Sequence, residues 1–437
     1  MKLSIFTPGL IQSAVGRSVR LVVRTLVDSG HEVTVIRSES ESLLTRSPHN
    51  FASPVITWQD VRNVTQTLQT SDYTFYHLGN NYHFHEGCLK WMPSFPGIVC
   101  LHDFCLTDLA IEACRLEPAK MRDVVSHWYS DEIAADFFKP RKSDSFMEQL
   151  RKTAPMTEWL CSQALGILTH SSWGIDRVMS SCPGPVMETP LAYDAMEVPR
   201  TDEPHDSTFR IVTLGHINRN KRVHEVIQAI GASQSLRQKA EYWLVGPIEA
   251  DMRTEVSSLA QKLGVRLVIK GQVNDAEFGN AIQSADVISC LRWPSLEASS
   301  ASLIEAMLMK KAVIVIDDAH YSDIPDKCVL KISHEREVDE LTKAIEELAA
   351  QPDARLELGI QAQRYAQSQF SPAAYMNAMI QIATAVASSH PRLAAIDTMT
   401  NIAKSWGAHP NLLHAEELIA PLRLFENAPT RQPSLPE

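Results

Sequence analysis

At 437 residues the chain exceeds the roughly 250–300 residues that one hydrophobic core sustains, so two domains are expected. A hydrophobic fraction of 44% with 21% charged residues is globular composition and excludes a disordered chain. A formal net charge of −11 and an isoelectric point near 5.8 argue against a dedicated nucleic-acid binder, which would carry a basic face.

No apolar run approaches the roughly 18–20 residues that span a bilayer. The N-terminus lacks the apolar core of a signal peptide and reads as a strand from the start. The eight cysteines form no C-x-x-C pair and sit mostly in apolar runs, as buried reduced thiols of a cytoplasmic protein would.

Residues 2–6 make a short apolar strand. From Gly16 onward, Val19, Val22, Val23 and Leu26 recur at helical spacing, and Gly30 ends that helix. Strands follow at 31–36, 72–78, 96–101 and 166–169 with helical patterns between them, the rhythm of βαβ units and a parallel sheet. Residues 201–208 are polar, contain Pro204 and lack periodicity, so they mark a linker. The rhythm restarts with strands at 210–214, 241–245, 266–269, 287–290 and 312–316. Helices are expected at 251–263, 276–284 and 300–309, and on the apolar faces of Val223, Val226, Ile227 and Ile230 and of Val338, Leu341, Ile345 and Leu348. The fold class is therefore α/β, with two Rossmann-like doubly wound domains at 1–200 and 209–370 facing a cleft. Residues 371–437 are expected to be helices that pack back on the first domain. Met376, Met379, Ile380 and Ala383 set the period, which is less regular past Ser388, and a short helix near 415–425 and a loose tail from about 428 complete the chain.

Open parallel sheets bind ligands beyond the carboxyl ends of their strands, so the loops that follow strands carry the chemistry. Neither G-x-G-x-x-G nor G-x-x-x-x-G-K-[ST] follows any expected strand, which argues against a dinucleotide oxidoreductase or a P-loop NTPase. After strand 210–214 runs Gly215-His216-Ile217-Asn218-Arg219-Asn220-Lys221-Arg222. Gly215 permits close backbone approach, and Arg219, Lys221 and Arg222 put three cations at a strand-to-helix junction, suited to a phosphate or diphosphate; the plain alternative is a solvated basic turn. After strand 287–290 and the turn Arg292-Trp293-Pro294, the run from Glu297 through Ser299, Ser300 and Ser302 to Glu305 opens a helix with unpaired amides. One turn in, Glu305 is placed to take a vicinal diol such as a ribose through two hydrogen bonds, and Glu297 to meet sugar hydroxyls.

His102 ends an apolar strand and so points at the cleft, beside Asp103; its alternative is a core histidine. His83-x-His85 has strand spacing but no third ligand, so no metal site is expected. Residues 137–142 combine two phenylalanines with three cations and read as a surface loop, with a peripheral membrane contact left open.

Taken in order, Gly215, Lys221, Gly246, Gly271, the Ser284-Ala285-Asp286-Val287 run and the pair Glu297 and Glu305 resemble the C-terminal domain of family 4 glycosyltransferases, which have the GT-B fold. His216 stands where that family commonly has an arginine, Ala298 and Ser300 where it has glycines, and Lys310 and Ala312 where it has Gly and Pro. The N-terminal half is similar to a subgroup of the family in residues 76–85, in the run from Pro96 to His102-Asp103, in Ser13-Ala14-Val15-Gly16 and in His170-Ser171. The resemblance covers about residues 1–385.

It implies a retaining glycosyltransferase with a front-face mechanism, moving a sugar from a UDP-, GDP- or similar nucleotide donor to a glycan or lipid-linked glycan, with no cofactor or metal required. It implies catalytic roles for His102, Glu297 and Lys221, and donor contacts at Gly16, Asp103, Gly215, His216, Asn218, Arg219, Arg222, Gly246, Ser299, Ser300 and Glu305. A nucleotide-sugar 2-epimerase on the same fold and a degenerate, non-catalytic binding protein are the competing readings. The location is cytoplasmic, with the inner face of the membrane left open, and no nucleic acid is involved.

Overall fold

The computed structural model describes residues 1–138, 143–194 and 208–407. Residues 201–207 of the expected linker at 201–208, the cations at 139–142 and the expected elements beyond 407 lie outside the described residues.

The first sheet contains β1 (Lys2–Thr7), β2 (Glu32–Arg37), β3 (Val55–Thr57), β4 (Tyr73–Leu78), β5 (Ile98–Leu101), β6 (Gly166–Thr169) and β7 (Val186–Glu188), in the order β3-β2-β1-β4-β5-β6-β7. The second contains β8 (Phe209–Leu214), β9 (Ala240–Val245), β10 (Arg266–Gly271), β11 (Val287–Ser289), β12 (Ala312–Ile316) and β13 (Leu330–Ile332), in the order β10-β9-β8-β11-β12-β13. Every strand pairing is parallel. Central strands such as β5, β6 and β12 are buried throughout, which is why they read as unbroken apolar runs rather than alternating ones. The strand order reverses between β1 and β4 and again between β8 and β11. Each reversal opens a crevice at the carboxyl ends, and the two crevices face each other.

Helix α1 (Ala14–Asp28) follows β1, with Ser13 capping it through a bond from the Gly16 amide and Val19, Val22, Val23 and Leu26 buried against the sheet. Helix α2 (Val223–Ala232) follows the loop after β8, and α3 (Ala301–Leu308) follows the turn after β11. Helix α4 (Pro372–Ser405) lays Tyr375, Ala378, Met379, Ile382, Ala383 and Val386 against the first domain, beside α1, β6 and β7. Its regularity does not fade at Ser388: it runs on through Pro391 to Ser405.

Between β5 and β6 five helices cover the other face of the first sheet. Phe137 is fully buried there and Phe138 packs on the same core. The two aromatics of the 137–142 run therefore pack on this core. All eight cysteines are unpaired, and among the described residues no helix is long and apolar enough to cross a membrane.

The domains meet beside the cleft. Residues leaving β5 run antiparallel to residues after β11, with Asp103 opposite Glu297. The Ala298 amide donates to the His102 carbonyl at 3.0 Å and the Cys105 amide to the Leu296 carbonyl at 3.0 Å. Further out, Arg151 of the first domain donates to Asp318 of the second at 2.6 Å, and Ser172 to Asp323 at 2.9 Å.

Candidate active site

The crevices enclose a cleft of about 1130 Å³. Its second-domain wall begins where β8 ends. Gly215 has φ +81° and Gly246, after β9, φ +140°; a Cβ on Gly246 would strike the Gly215 carbonyl, so glycine alone lets the two strand-end loops cross there. A Cβ on Gly215 would lie 2.9 Å from the Lys221 ammonium, which tucks into that space and donates to the Leu214 carbonyl.

Lys221 is only 5% exposed yet borders the cleft, and among the described residues it forms no ion pair. Burial, and then the neighbouring Arg292, hold its pKa well below the usual lysine range. Arg292 also borders the cleft, with Nη1 donating to the Leu291 carbonyl at 2.9 Å and Nε 3.4 Å from Glu297. Glu297 accepts from the Tyr321 hydroxyl at 2.9 Å. Burial alone would raise its carboxyl, but Arg292, His320, Tyr321 and Lys221 outweigh it, so Glu297 titrates below the usual range and stays ionised.

The next wall is the start of α3. Ser300 holds the N-cap position without a side-chain cap bond, and Ser300, Ala301 and Ser302 line the cleft, so the helix presents free amide donors there. Glu305, one turn in, is buried and meets Arg17 of α1 at 2.9 Å; burial pushes its carboxyl up to about 7 although Arg17 opposes the shift. Asp103 borders the cleft beside Glu297, its partner in the backbone bridge between the domains. Burial raises its carboxyl to about 7, opposed by the bond it accepts from the Asn80 amide at 2.6 Å and aided by Glu297.

Most of the expected site residues gather here: Asp103, Gly215, His216, Asn218, Lys221, Gly246, Glu297, Ser300 and Glu305 all border the cleft. Five do not. Arg219 turns outward to Glu255 at 2.7 Å. Arg222 is drawn away by Glu337, Glu225 and Asp144 and instead ties the domains together. Ser299 is half-buried off the cleft, and Ser302 occupies the lining in its place. Gly16 sits behind the wall, where a Cβ would collide with the Pro8 carbonyl, so its role is to let α1 approach that loop. His102 is 6% exposed and lies beneath the lining, its Nε2 2.9 Å from His77 Nδ1 and its ring 4.8 Å from that of His170.

The pair His83 and His85 also changes meaning. Both lie on a helix, Tyr82–Trp91, not a strand, with His83 exposed and His85 buried. Among the described residues no group of three or more His, Cys, Asp or Glu side chains is placed to hold a metal ion.

Arg17 and Arg292 were invisible as site residues in the sequence. Arg292 looked like part of a turn, although a cation three residues past an apolar strand sits where cleft ligands are found. Arg17 looked like an ordinary helix residue, but it is the cation in the first turn of the helix that follows β1.

Residues 198–365 match the model of a family described as glycosyl transferases group 1. The match falls on the second domain, which is similar to the group 1 glycosyl transferases. Solved structures similar to the whole chain share its two-domain GT-B fold. The glycosyltransferase WaaG of lipopolysaccharide biosynthesis aligns with a TM-score of 0.58 at 15% identity over 87% of this chain and 99% of its own. Sucrose-phosphate synthase from Thermosynechococcus elongatus aligns at 0.58 and 15% over 91% and 100%, and Anabaena HepE in complex with UDP and glucose at 0.59 and 14% over 87% and 98%. No curated protein sequence matches the chain. The family match supports a glycosyltransferase enzyme.

Proposed function

We propose that the enzyme is a retaining glycosyltransferase whose cleft holds a nucleoside diphosphate sugar between Lys221, Arg292, the amides of α3 and Glu305. The observation that carries this reading is Lys221: a buried lysine side chain that borders a large cleft without a carboxylate partner is costly to charge unless an anionic ligand arrives. The donor's ribose diol would bond Glu305 and its diphosphate would lie over Lys221 and the start of α3. As the bond between the sugar's anomeric carbon and the diphosphate oxygen breaks, the electron pair goes to that oxygen, where Lys221 and Arg292 stabilise the growing charge. The acceptor hydroxyl attacks from the same face and its proton passes to the leaving phosphate oxygen. Glu297, kept ionised by Arg292 and Tyr321, would bond sugar hydroxyls.

His216 replaces an arginine common in the family, and Arg292 supplies the charge that His216 lacks. This favours catalysis over a degenerate binding protein. With two cations on the diphosphate, no divalent ion is required, and a bound one would meet repulsion. The acceptor, a glycan or lipid-linked glycan, would enter along the first-domain wall of Ile11, Gln12, Asn80 and Asp103.

The test is incubation with UDP-, GDP- and ADP-sugars and glycan acceptors, reading products by NMR. UDP-sugars come first because HepE holds UDP. A glycoside with the donor's anomeric configuration is expected. An inverted linkage would refute retention, and isomerised donor without acceptor would establish the epimerase reading instead.

A further inference from the structure

Glu305, the carboxylate placed to take the donor's ribose, is already occupied. Arg17 Nη1 lies 2.9 Å from Glu305 Oε1, the two side chains are 23% and 6% exposed, and both border the cleft from opposite domains. A ribose diol that takes both oxygens of Glu305 must break this pair. The released guanidinium would then sit in a largely enclosed cleft without its counter-ion, which is unfavourable unless another anion replaces it. The donor brings one. Arg17 stands in the first turn of α1, with Ser13 and Ala14 lining the cleft beside it, so the positive end of that helix points the same way.

We propose that Arg17 is a donor-binding residue stored on Glu305: the arriving ribose takes Glu305, and Arg17 swings to the donor's diphosphate opposite Lys221 and Arg292. This rests on the nucleotide-sugar reading of the cleft. The exchange brings a first-domain cation onto a ligand otherwise held by the second domain, so the donor itself links the two halves. It also makes ribose and diphosphate interdependent. A nucleoside alone must break the Arg17–Glu305 pair without offering Arg17 a replacement, and inorganic pyrophosphate alone must draw Arg17 off an intact Glu305.

Calorimetry with three probes tests the exchange: UDP (or whichever of UDP, GDP and ADP the wild type binds), the matching nucleoside, and inorganic pyrophosphate. Arg17→Gln should weaken the nucleoside diphosphate by about tenfold or more, the usual scale for one lost charged hydrogen bond, while the nucleoside binds as well as or better than before. Glu305→Gln, which frees Arg17, should strengthen pyrophosphate binding, and the double variant should lose that gain. Circular dichroism and melting curves of the variants establish that they fold. If Arg17→Gln binds the nucleoside diphosphate like wild type, or weakens nucleoside and diphosphate alike, the exchange is wrong while the nucleotide reading stands. If the wild type binds none of the three diphosphates, both fall.

Discussion

At the residue scale the enzyme sorts its cations by burial rather than by their order in the chain. Arg219, Lys221 and Arg222 are near neighbours in sequence, yet only Lys221 reaches the cleft. Arg219 is exposed on Glu255, and Arg222 is committed to three carboxylates. Replacing Lys221 with Ala should therefore lower turnover more than tenfold, on the scale of about 2.7–4 kcal/mol for one preorganised charge, and Arg292→Ala should do the same. Arg219→Ala should leave turnover with the same donor within about twofold, as a surface pair contributes little. Steady-state kinetics on the three variants decides it, and a large loss with Arg219→Ala would restore the cationic loop as the diphosphate site. Lys221 also titrates below its usual range, so diphosphate binding should favour its charged form and, wherever the free side chain is partly neutral, draw a proton from solvent. Calorimetry in buffers of differing ionisation enthalpy would read that uptake, and Lys221→Met should reduce it.

At the scale of elements, legibility follows length and burial. Strands such as β6 and β12 could be read to the residue because both faces are buried and the apolar run ends where the strand ends. Strands β3, β7 and β13 have three residues each and are only partly buried, so no apolar run marks them and they went unseen, whereas β11, equally short but buried throughout, was legible. The glycines of the site were legible because backbone crossing demands that residue type, and the glutamates because a carboxylate is what a sugar diol would need. Arg17 and Arg292 were not, because an arginine is as common on a surface as in a cleft. Helix α4 shows its buried stripe plainly, and Met379 lies fully buried within it against the first sheet. Met379→Ala should cost about 2–5 kcal/mol in denaturant unfolding without altering nucleotide affinity in the folded protein. A loss of affinity at full folding would mean that α4 also shapes the cleft.

At the scale of the molecule, the floor of the cleft is a neutral histidine cluster, and this sets a pH limit. His77 and His85 are held down to about 3 and His170 to about 4, mainly by burial, and His102 is lowered by burial and the adjacent histidines. Unfolded histidines accept protons near pH 6.5, so stability is full above that value and falls as the pH drops toward 4. Asp103 and Glu305, raised to about 7, act oppositely by binding protons in the folded state, but they are two against four histidines. Urea denaturation at pH 7 and pH 5 should find the enzyme less stable at pH 5, and equal or greater stability there would contradict the neutral cluster.

In the proposed function the cleft handles a nucleotide sugar with protein cations in the place of a metal. The most direct measurement is release of nucleoside diphosphate from a panel of nucleotide sugars with acceptors, in EDTA, by wild type and Lys221→Ala. Release from at least one donor by the wild type is expected, with EDTA costing no more than about twofold, and a loss of more than tenfold in the variant. Turnover abolished by EDTA and restored by Mg²⁺ or Mn²⁺, or turnover unchanged in Lys221→Ala, would contradict it.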